Sequence, residues 1–158
     1  MIEELKSQDL KEAAEIYSKT IQLENPPGTI SIENAIQQLQ KNFVHRKYHV
    51  FVSKDEKTNK MNGILIFRMF DKKIKIFFIG AFPAEKGTGS NLMKKLAEFA
   101  SQHKIDIILS NVSAYDEMAK NFYFEKCGFS RVKEYVNKET GFKGILIKID
   151  AKKLVRKL

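Results

Sequence analysis

The chain has 158 residues, of which 43% are hydrophobic and 30% charged, as is typical of a soluble globular protein. This length fits a single domain over residues 1–158 with a sizeable core. The sequence has no apolar run that resembles a membrane span, and its acidic, mixed start does not resemble a secretory signal. Cys127 is the only cysteine, which excludes an intrachain disulfide, so a cytoplasmic protein is expected.

The charge balance is strongly positive, with 28 Lys and Arg against 19 Asp and Glu and a formal net charge of +9. Such a charge favours an anionic partner, whether nucleic acid, a membrane surface or a phosphorylated small molecule. The lysines are scattered through the whole chain, however, which favours a lysine-rich surface over a dedicated patch. The densest basic segment, AKKLVRKL at 151–158, is interpreted as a solvated terminus.

The first third of the chain predicts one short strand and two helices. IEEL at 2–5 is the strand, and Asp9 is placed to cap a helix whose apolar residues recur at helical spacing. ENPPG at 24–28 interrupts the chain, because two prolines and a glycine do not continue a helix. Ser31 suits the N-cap of the second helix.

The rest of the chain changes to strand-rich periodicity, with β-branched and aromatic residues between polar turns. The predicted elements are strands at 48–53, 63–70 and 74–82, a helix at 89–103, a strand at 105–111, a helix at 115–126, and strands at 129–136 and 144–149. The order β-α-α-β-β-β-α-β-α-β-β predicts a mixed α+β domain with one strand–helix–strand unit at its centre.

A glycine-rich turn lies between the third of these strands and the following helix. The first N–H groups of a helix lack intrahelical partners and carry the positive end of its dipole, so this turn is suited to an anion. Gly87 and Gly89 keep Cβ atoms out of the way, and Lys86 adds a charge. Two nucleotide motifs do not fit: GxxxxGK[ST] is absent, and Leu92 stands at the third glycine of GxGxxG.

Two segments resemble the GNAT N-acetyltransferase superfamily. AEKGTGSNLMKKLAEFA (84–100) resembles its acyl-CoA loop, Q/R-x-x-G-x-G/A opening a helix, and DEMAKNFYFEKCGF (116–129) resembles its second motif, N-x-x-A-x-x-[FL]-Y-x-K-x-GF. The order of elements also matches, so the resemblance spans nearly the whole chain. It implies a mixed, mostly antiparallel, twisted sheet of about seven strands with helices on both faces.

The first motif departs from the superfamily pattern at two positions. Ala84 stands where Gln or Arg is usual, and Glu85 stands where a glycine is common. The loop binds phosphates through backbone N–H groups, so a changed side chain at position 84 need not abolish binding. An acid beside phosphates lowers affinity unless Glu85 points outward.

The second motif fits in two registers. Aligned on Asp116 and Ala119, it places Tyr123 at the tyrosine position; aligned on Gly128, it places Phe124 there. A one-residue bulge in the helix would reconcile the two, and the sequence leaves both registers open.

The resemblance implies transfer of an acetyl group from acetyl-CoA to a primary amine by direct attack in a ternary complex, without a metal. The pantetheine arm would bond the backbone of Ile79 and Ala81. Tyr123 would donate a proton to the leaving thiolate, since a phenol stays protonated at neutral pH, or it is a core residue at helical spacing with Ala119. Asp116 would hold the cofactor arm or cap its helix, and capping is the expected role. The pyrophosphate would bind the N–H groups of Lys86, Gly87, Thr88, Gly89 and Ser90.

No general base stands out. Glu24, Glu33 and the histidines at 45, 49 and 103 are interpreted as surface residues, and Asp106 begins a strand away from the expected cleft. Cys127 is interpreted as a small buried residue without an activating histidine. The amine acceptor is not identified, and its selectivity is expected to reside in the connection 24–39.

Two other classes of function stay open. A non-catalytic acyl-CoA sensor would keep Gly87 and Gly89 but need no productive Tyr123. A nucleic-acid-binding domain would use the charge of +9, yet most phenylalanines lie in apolar stretches and are interpreted as core. The oligomeric state is open, although a homodimer is common in the superfamily.

Overall fold

A computed structural model describes residues 1–24, 27–44, 48–83 and 87–158. The strands are β1 (Ile2–Glu4), β2 (Tyr48–Lys54), β3 (Met61–Phe70), β4 (Lys73–Ala81), β5 (Ile107–Ser113), β6 (Ser130–Val136) and β7 (Lys143–Asp150). The helices are α1 (Leu10–Gln22), α2 (Ile32–Val44), α3 (Thr88–Gln102), α4 (Glu117–Asn121) and α5 (Ala151–Lys157). A 3₁₀ turn at Ser7–Asp9 precedes α1, and a π-helical turn at Phe122–Cys127 follows α4.

The seven strands form one sheet in the order β1-β2-β3-β4-β5-β7-β6. Pairing is antiparallel at β1–β2, β2–β3, β5–β7 and β6–β7, and parallel at β4–β5. The predicted α+β class and the mostly antiparallel sheet are therefore confirmed. Within the described ranges, no helix is both long and apolar enough to cross a membrane.

The chain forms two compact units, and the first comprises residues 1–68 and 77–92. Its helices α1 and α2 each bury one apolar face, with Ala13 and Tyr17 on α1 and Leu39 on α2, as their helical spacing predicts. Strand β3 is buried without alternation from Ile64 to Phe67, which is the pattern of a strand covered on both faces.

The second unit comprises residues 69–76 and 93–158. Many of its buried apolar residues come from α3, β5, β7 and α5, among them Leu96, Ala100, Ile108, Val112, Ile145, Ile147 and Leu154. The interpretation of 151–158 as a solvated terminus is wrong. These residues form α5, which buries Ala151 and Leu154 while its basic side chains remain exposed.

The predicted cap at Asp9 is also wrong. Asp9 precedes α1, but its side chain makes no capping hydrogen bond. Its carboxylate instead lies 2.9 Å from Nζ of Lys54, whose other partner is the Glu3 carboxylate at 2.9 Å. The Lys54 side chain is only 9% exposed. A cation removed from water needs such partners, so this long-range ion pair outweighs a local cap.

Candidate functional site

Strand β4 carries the backbone groups that were assigned to the pantetheine arm. Its parallel pairing with β5 joins Lys73–Lys75 to Ile107–Leu109. Farther along, the Phe82 N–H donates to the Asn62 carbonyl of β3 at 3.0 Å. Because backbone groups alternate sides along a regular strand, we expect the N–H and C=O groups of Ile79 and Ala81 to face away from β3. This is the edge on which the resemblance places the ligand's amides.

Helix α1 lies directly against this part of β4, and Gly80 makes the approach possible. A Cβ atom at Gly80 would stand 2.8 Å from both Cβ and Oγ1 of Thr20. The Thr20 hydroxyl donates to the carbonyls of Ile16 and Tyr17 within α1, at 2.9 and 3.0 Å. The threonine is therefore held in place, and only a glycine fits opposite it.

The glycine turn ends in a helix start of the predicted kind. Gly87 has φ of +104°, a conformation that favours glycine, and its carbonyl accepts the Asn91 N–H at 2.9 Å. The N–H groups of Thr88, Gly89 and Ser90 precede this first helical bond, so α3 leaves them without intrahelical partners. Lys86, like Ala84 and Glu85, lies outside the described residues, so its predicted role cannot be placed.

The start of α3 sits on a second strand glycine that sequence reasoning missed. A Cβ atom at Gly63 of β3 would stand 2.7 Å from Cγ2 of Thr88 and 3.1 Å from Cδ1 of Leu92. Thr88 is itself buried. Gly63 therefore sets how closely the first turn of α3 approaches β3, and with it the position of the exposed N–H groups.

The π-helical turn after α4 resolves the two registers of the second motif. It inserts one additional residue between Ala119 and Gly128, which is the bulge that reconciles both alignments. The turn closes at Gly128, with φ of +84°, and the Phe129 N–H donates to the Tyr123 carbonyl at 2.9 Å.

Tyr123 occupies a buried position and is 5% exposed. Its ring meets that of Phe129 edge-on, with centroids 5.2 Å apart. The hydroxyl of Ser110, a buried residue of β5, donates to its phenolic oxygen at 3.1 Å. Phe124 points elsewhere and carries the Arg131 guanidinium 4.8 Å from its ring centroid. Tyr123 therefore carries a hydroxyl at this turn, as the motif requires, but its burial fits a core residue as well, and its role as proton donor stays a prediction.

Asp116 caps α4, as expected. Its Oδ1 accepts the Ala119 N–H at 3.0 Å. Ser31 does the same at the start of α2, where its Oγ accepts the Asn34 N–H at 3.1 Å. Both caps were predicted from residue type and spacing alone.

The other titratable candidates show no catalytic arrangement among the described residues. Cys127 is fully buried, which confirms its interpretation as a small buried residue, and this burial raises the pKa of its thiol to about 12. His103 stacks on Phe99 at 3.9 Å, and His49 stacks on Phe67 at 5.2 Å. The position of His45 lies outside the described residues. No group of three or more metal-ligating side chains occurs within the described ranges.

A cleft of about 790 Å³ opens along α1, α2 and the segment joining them. Its apolar lining residues are Tyr17, Ile21 and Ile30. Its neutral polar lining residues are Thr29, Ser31, Asn34, Gln37 and Gln38, and Lys41 adds one charge. The Tyr17 hydroxyl donates to Oε1 of Gln38 at 3.0 Å. The cleft thus includes much of the connection in which acceptor selectivity was expected.

Comparison with known proteins agrees with these features. Residues 13–129 match the acetyltransferase (GNAT) family. The ribosomal-protein-S18-alanine N-acetyltransferase of Escherichia coli is 18% identical with a TM-score of 0.74, over 96% of this chain and 93% of that one. The spermidine N-acetyltransferase of Vibrio cholerae, solved with CoA and spermine, is 16% identical with a TM-score of 0.77, over 98% and 97%. The search of curated proteins gave no match.

Proposed function

Because the chain belongs to the acetyltransferase (GNAT) family, we propose that the edge of β4, the start of α3 and Tyr123 carry out acetyl transfer. The reaction moves an acetyl group from acetyl-CoA to a primary amine. The single observation that carries the proposal is Gly87, whose left-handed backbone opens α3 in the segment that resembles the acyl-CoA loop, within the range matched by the family.

The co-substrate is held mainly by backbone groups. Ile79 and Ala81 bond the amides of the pantetheine arm, as a further strand would. The pyrophosphate accepts hydrogen bonds from the N–H groups of Gly87, Thr88, Gly89 and Ser90, and Lys86 supplies a positive charge. The alternation of β4 and the first helical bond of α3 support this arrangement.

The chemical step begins with attack of the neutral amine nitrogen on the thioester carbonyl carbon. The resulting oxyanion needs a hydrogen-bond donor, and a backbone N–H on the outer edge of β4 is suited to this role. Collapse of the intermediate breaks the carbon–sulfur bond, and the thiolate takes the proton of the Tyr123 hydroxyl. The amine's own proton passes to water, because no described side chain is arranged as a dedicated base, and the Tyr123 phenolate takes a proton back from water.

Tyr123 suits proton donation because its phenol stays protonated at neutral pH and its oxygen lies 3.1 Å from the Ser110 hydroxyl, which holds it in place. Asp116 is occupied as the cap of α4, and a contact between its carboxylate and the cofactor arm stays a prediction. A metal-free reaction, a homodimer and a cytoplasmic location also stay predictions.

Calorimetric titration with acetyl-CoA and with CoA tests the proposal. The wild type should bind both, and Gly87→Glu should lose binding, since it places a carboxylate beside the pyrophosphate and strains a backbone at +104°. Gly141→Glu is the matched control: Gly141 also has positive φ, at +75°, and its Cβ would likewise meet nothing within 4 Å among the described residues. Absence of wild-type binding, or equal loss in both variants, would refute the proposed site.

An acyl-CoA sensor would bind acetyl-CoA but, unlike an enzyme, would not transfer its acetyl group to an amine. If acetyl-CoA binds but no amine in a broad panel is acetylated, the sensor is the better description. Binding of RNA or DNA that falls steeply with salt would instead favour the nucleic-acid alternative.

A further inference from the structure

We propose that the cleft along α1 and α2 binds the acceptor, and that the acceptor is a peptide with a free α-amine and an acidic side chain. The inference rests on the proposed function, because it names the molecule that receives the acetyl group. It separates two kinds of acceptor that the names of similar structures contain, an alanine of a ribosomal protein and spermidine.

The cleft is built against the strand assigned to acetyl-CoA. Tyr17 lines it, and the Tyr17 ring meets that of Phe78 edge-on at 4.7 Å. Phe78 precedes Ile79 on β4, so one lining residue of the cleft contacts the strand that carries the predicted pantetheine edge. Two long-range hydrogen bonds fix its walls: Tyr17 to Gln38 at 3.0 Å, and the Ser18 hydroxyl to the Ile30 carbonyl at 2.8 Å.

The lining chemistry matches a peptide backbone. Side-chain amides and hydroxyls can each donate and accept, as the N–H and C=O groups of an extended peptide require. These groups come from Thr29, Ser31, Asn34, Gln37 and Gln38. A volume of about 790 Å³ accommodates more than a single amino acid, and open clefts of several hundred Å³ are typical of such ligand sites.

The charge of the lining disfavours a polyamine. Removing several ammonium groups from water requires carboxylates to pair with them, yet the only charged lining residue among those described is Lys41. Lys41 instead suits an acidic side chain of the acceptor. A single amine can be balanced near Tyr17, where burial raises the pKa of the phenol and the negative charge of Glu24 raises it further.

The test compares acceptors that differ only in charge. Three amidated peptides of equal length with one free α-amine carry an acidic, a neutral or an Arg residue, and spermidine is the fourth acceptor. The proteins are the wild type, Lys41→Glu and the control Lys11→Glu, which makes the same charge change at an exposed lysine of α1 outside the lining. Gln37→Ala and Gln40→Ala form a second matched pair, both exposed on α2 with only Gln37 in the lining.

In the wild type, we expect kcat/KM to be highest for the acidic peptide and at least tenfold lower for spermidine. Lys41→Glu should lower the ratio of kcat/KM for the acidic peptide to that for the Arg peptide by about tenfold, close to the strength of one charge-assisted hydrogen bond. Lys11→Glu should leave this ratio unchanged. Gln37→Ala should raise the peptide KM more than Gln40→Ala does. Spermidine as the best acceptor, or an unchanged preference in Lys41→Glu, would overturn the inference.

Two binding measurements separate this inference from the proposed function. Acetyl-CoA titration of the wild type comes first, and its failure would refute the proposed function. Titration of the acidic peptide into the protein without cofactor then tests the inferred role of the cleft independently of acetyl-CoA. Peptide binding that is weaker in Lys41→Glu supports the inference, and no peptide binding overturns it. Normal acetyl-CoA binding without peptide binding would therefore reject only the inference.

Discussion

The turn that opens α3 and the turn that ends α4 offer two different kinds of chemistry. The first presents backbone N–H groups after a glycine at φ of +104°, and the second presents one phenolic hydroxyl held beside Ser110. A site made of backbone tolerates altered side chains but requires a particular backbone path. A site made of one side chain requires that residue in a single register. Under the proposed function, this contrast would allow the first motif to vary at Ala84 and Glu85, whereas the second would need its additional residue to place Tyr123.

The comparison predicts that the two turns control different quantities. Variants at the start of α3 should change acetyl-CoA affinity, and variants around Tyr123 should change turnover with little effect on affinity.

The largest expected effect is on turnover. Tyr123→Phe removes the proton donor for the thiolate, so kcat should fall about 100-fold, the lower range for general-acid catalysis. Acetyl-CoA affinity should stay within about twofold by calorimetry, since the ring and its packing remain. Tyr135→Phe on β6 is the control. Adding Phe124→Tyr should not restore turnover, because Phe124 lies against Arg131. Restoration would show that the register assigned here is wrong.

The next effect should appear in affinity. Gly63→Ala places a Cβ 2.7 Å from Cγ2 of Thr88, so the first turn of α3 must shift. We expect the acetyl-CoA Kd to rise about tenfold, or roughly 1.4 kcal/mol, without direct contact with the ligand. Gly144→Ala is the control, because it crowds Tyr135 and Phe142 in the β6–β7 pair and should lower stability alone. If both variants have the same acetyl-CoA Kd and matching circular dichroism spectra, the position of α3 does not determine acetyl-CoA affinity.

A smaller effect on turnover should follow loss of the positioning residue Ser110. Ser110→Ala removes the donor to the Tyr123 oxygen, and kcat should fall about fivefold, equivalent to the roughly 1 kcal/mol of one neutral hydrogen bond. The decisive readout is a double-mutant cycle: in the Tyr123→Phe background the same change should have almost no effect on kcat. Additive losses of kcat would mean that Ser110 affects turnover only through the packing of the core, and not through the Tyr123 hydroxyl.

An acid-stability experiment tests the ion pair between Lys54 and Glu3, which belongs to neither of the two turns. The hydrogen bond from Lys54 lowers the pKa of the Glu3 carboxyl below its ordinary 4.5. That stabilisation is present above the ordinary value and is lost as pH falls through the lowered one. Lys54→Met should reduce the free energy of unfolding at pH 7, and should reduce the further loss between pH 5 and pH 3, measured by urea denaturation. A wild type with no acid dependence in this range would contradict the assignment.

Much of this architecture follows from local patterns. Helical and strand periodicity placed the predicted strands and helices to within a few residues, because each buries one or both faces as its spacing requires. The caps at Ser31 and Asp116 depend only on residues three positions away. The loop at Gly87 was also predictable, since a positive φ before a helix strongly favours glycine.

The features that were missed depend on distant partners. Asp9 was expected to cap α1 but pairs with Lys54, which lies 45 residues away. The need for glycine at positions 63 and 80 comes from the close approach of α3 and α1, which the sequence of each strand does not reveal. Ser110 gave one weak signal, a lone hydroxyl in an apolar strand. Local spacing therefore predicts elements and caps, whereas close approaches and buried polar pairs require the tertiary structure.

The smallest expected effect concerns Cys127, which follows Tyr123 in the same π-helical turn. Burial raises the pKa of its thiol to about 12, so at pH 8 almost no thiolate is present to react. Iodoacetamide should therefore leave the folded protein unlabelled and its turnover unchanged, while guanidinium-unfolded protein should be labelled fully, as followed by mass spectrometry. Rapid labelling of folded protein with loss of turnover would mean that the turn opens readily. Tyr123 could not then be held in one register, and the second turn could not depend on one fixed side chain as the contrast requires.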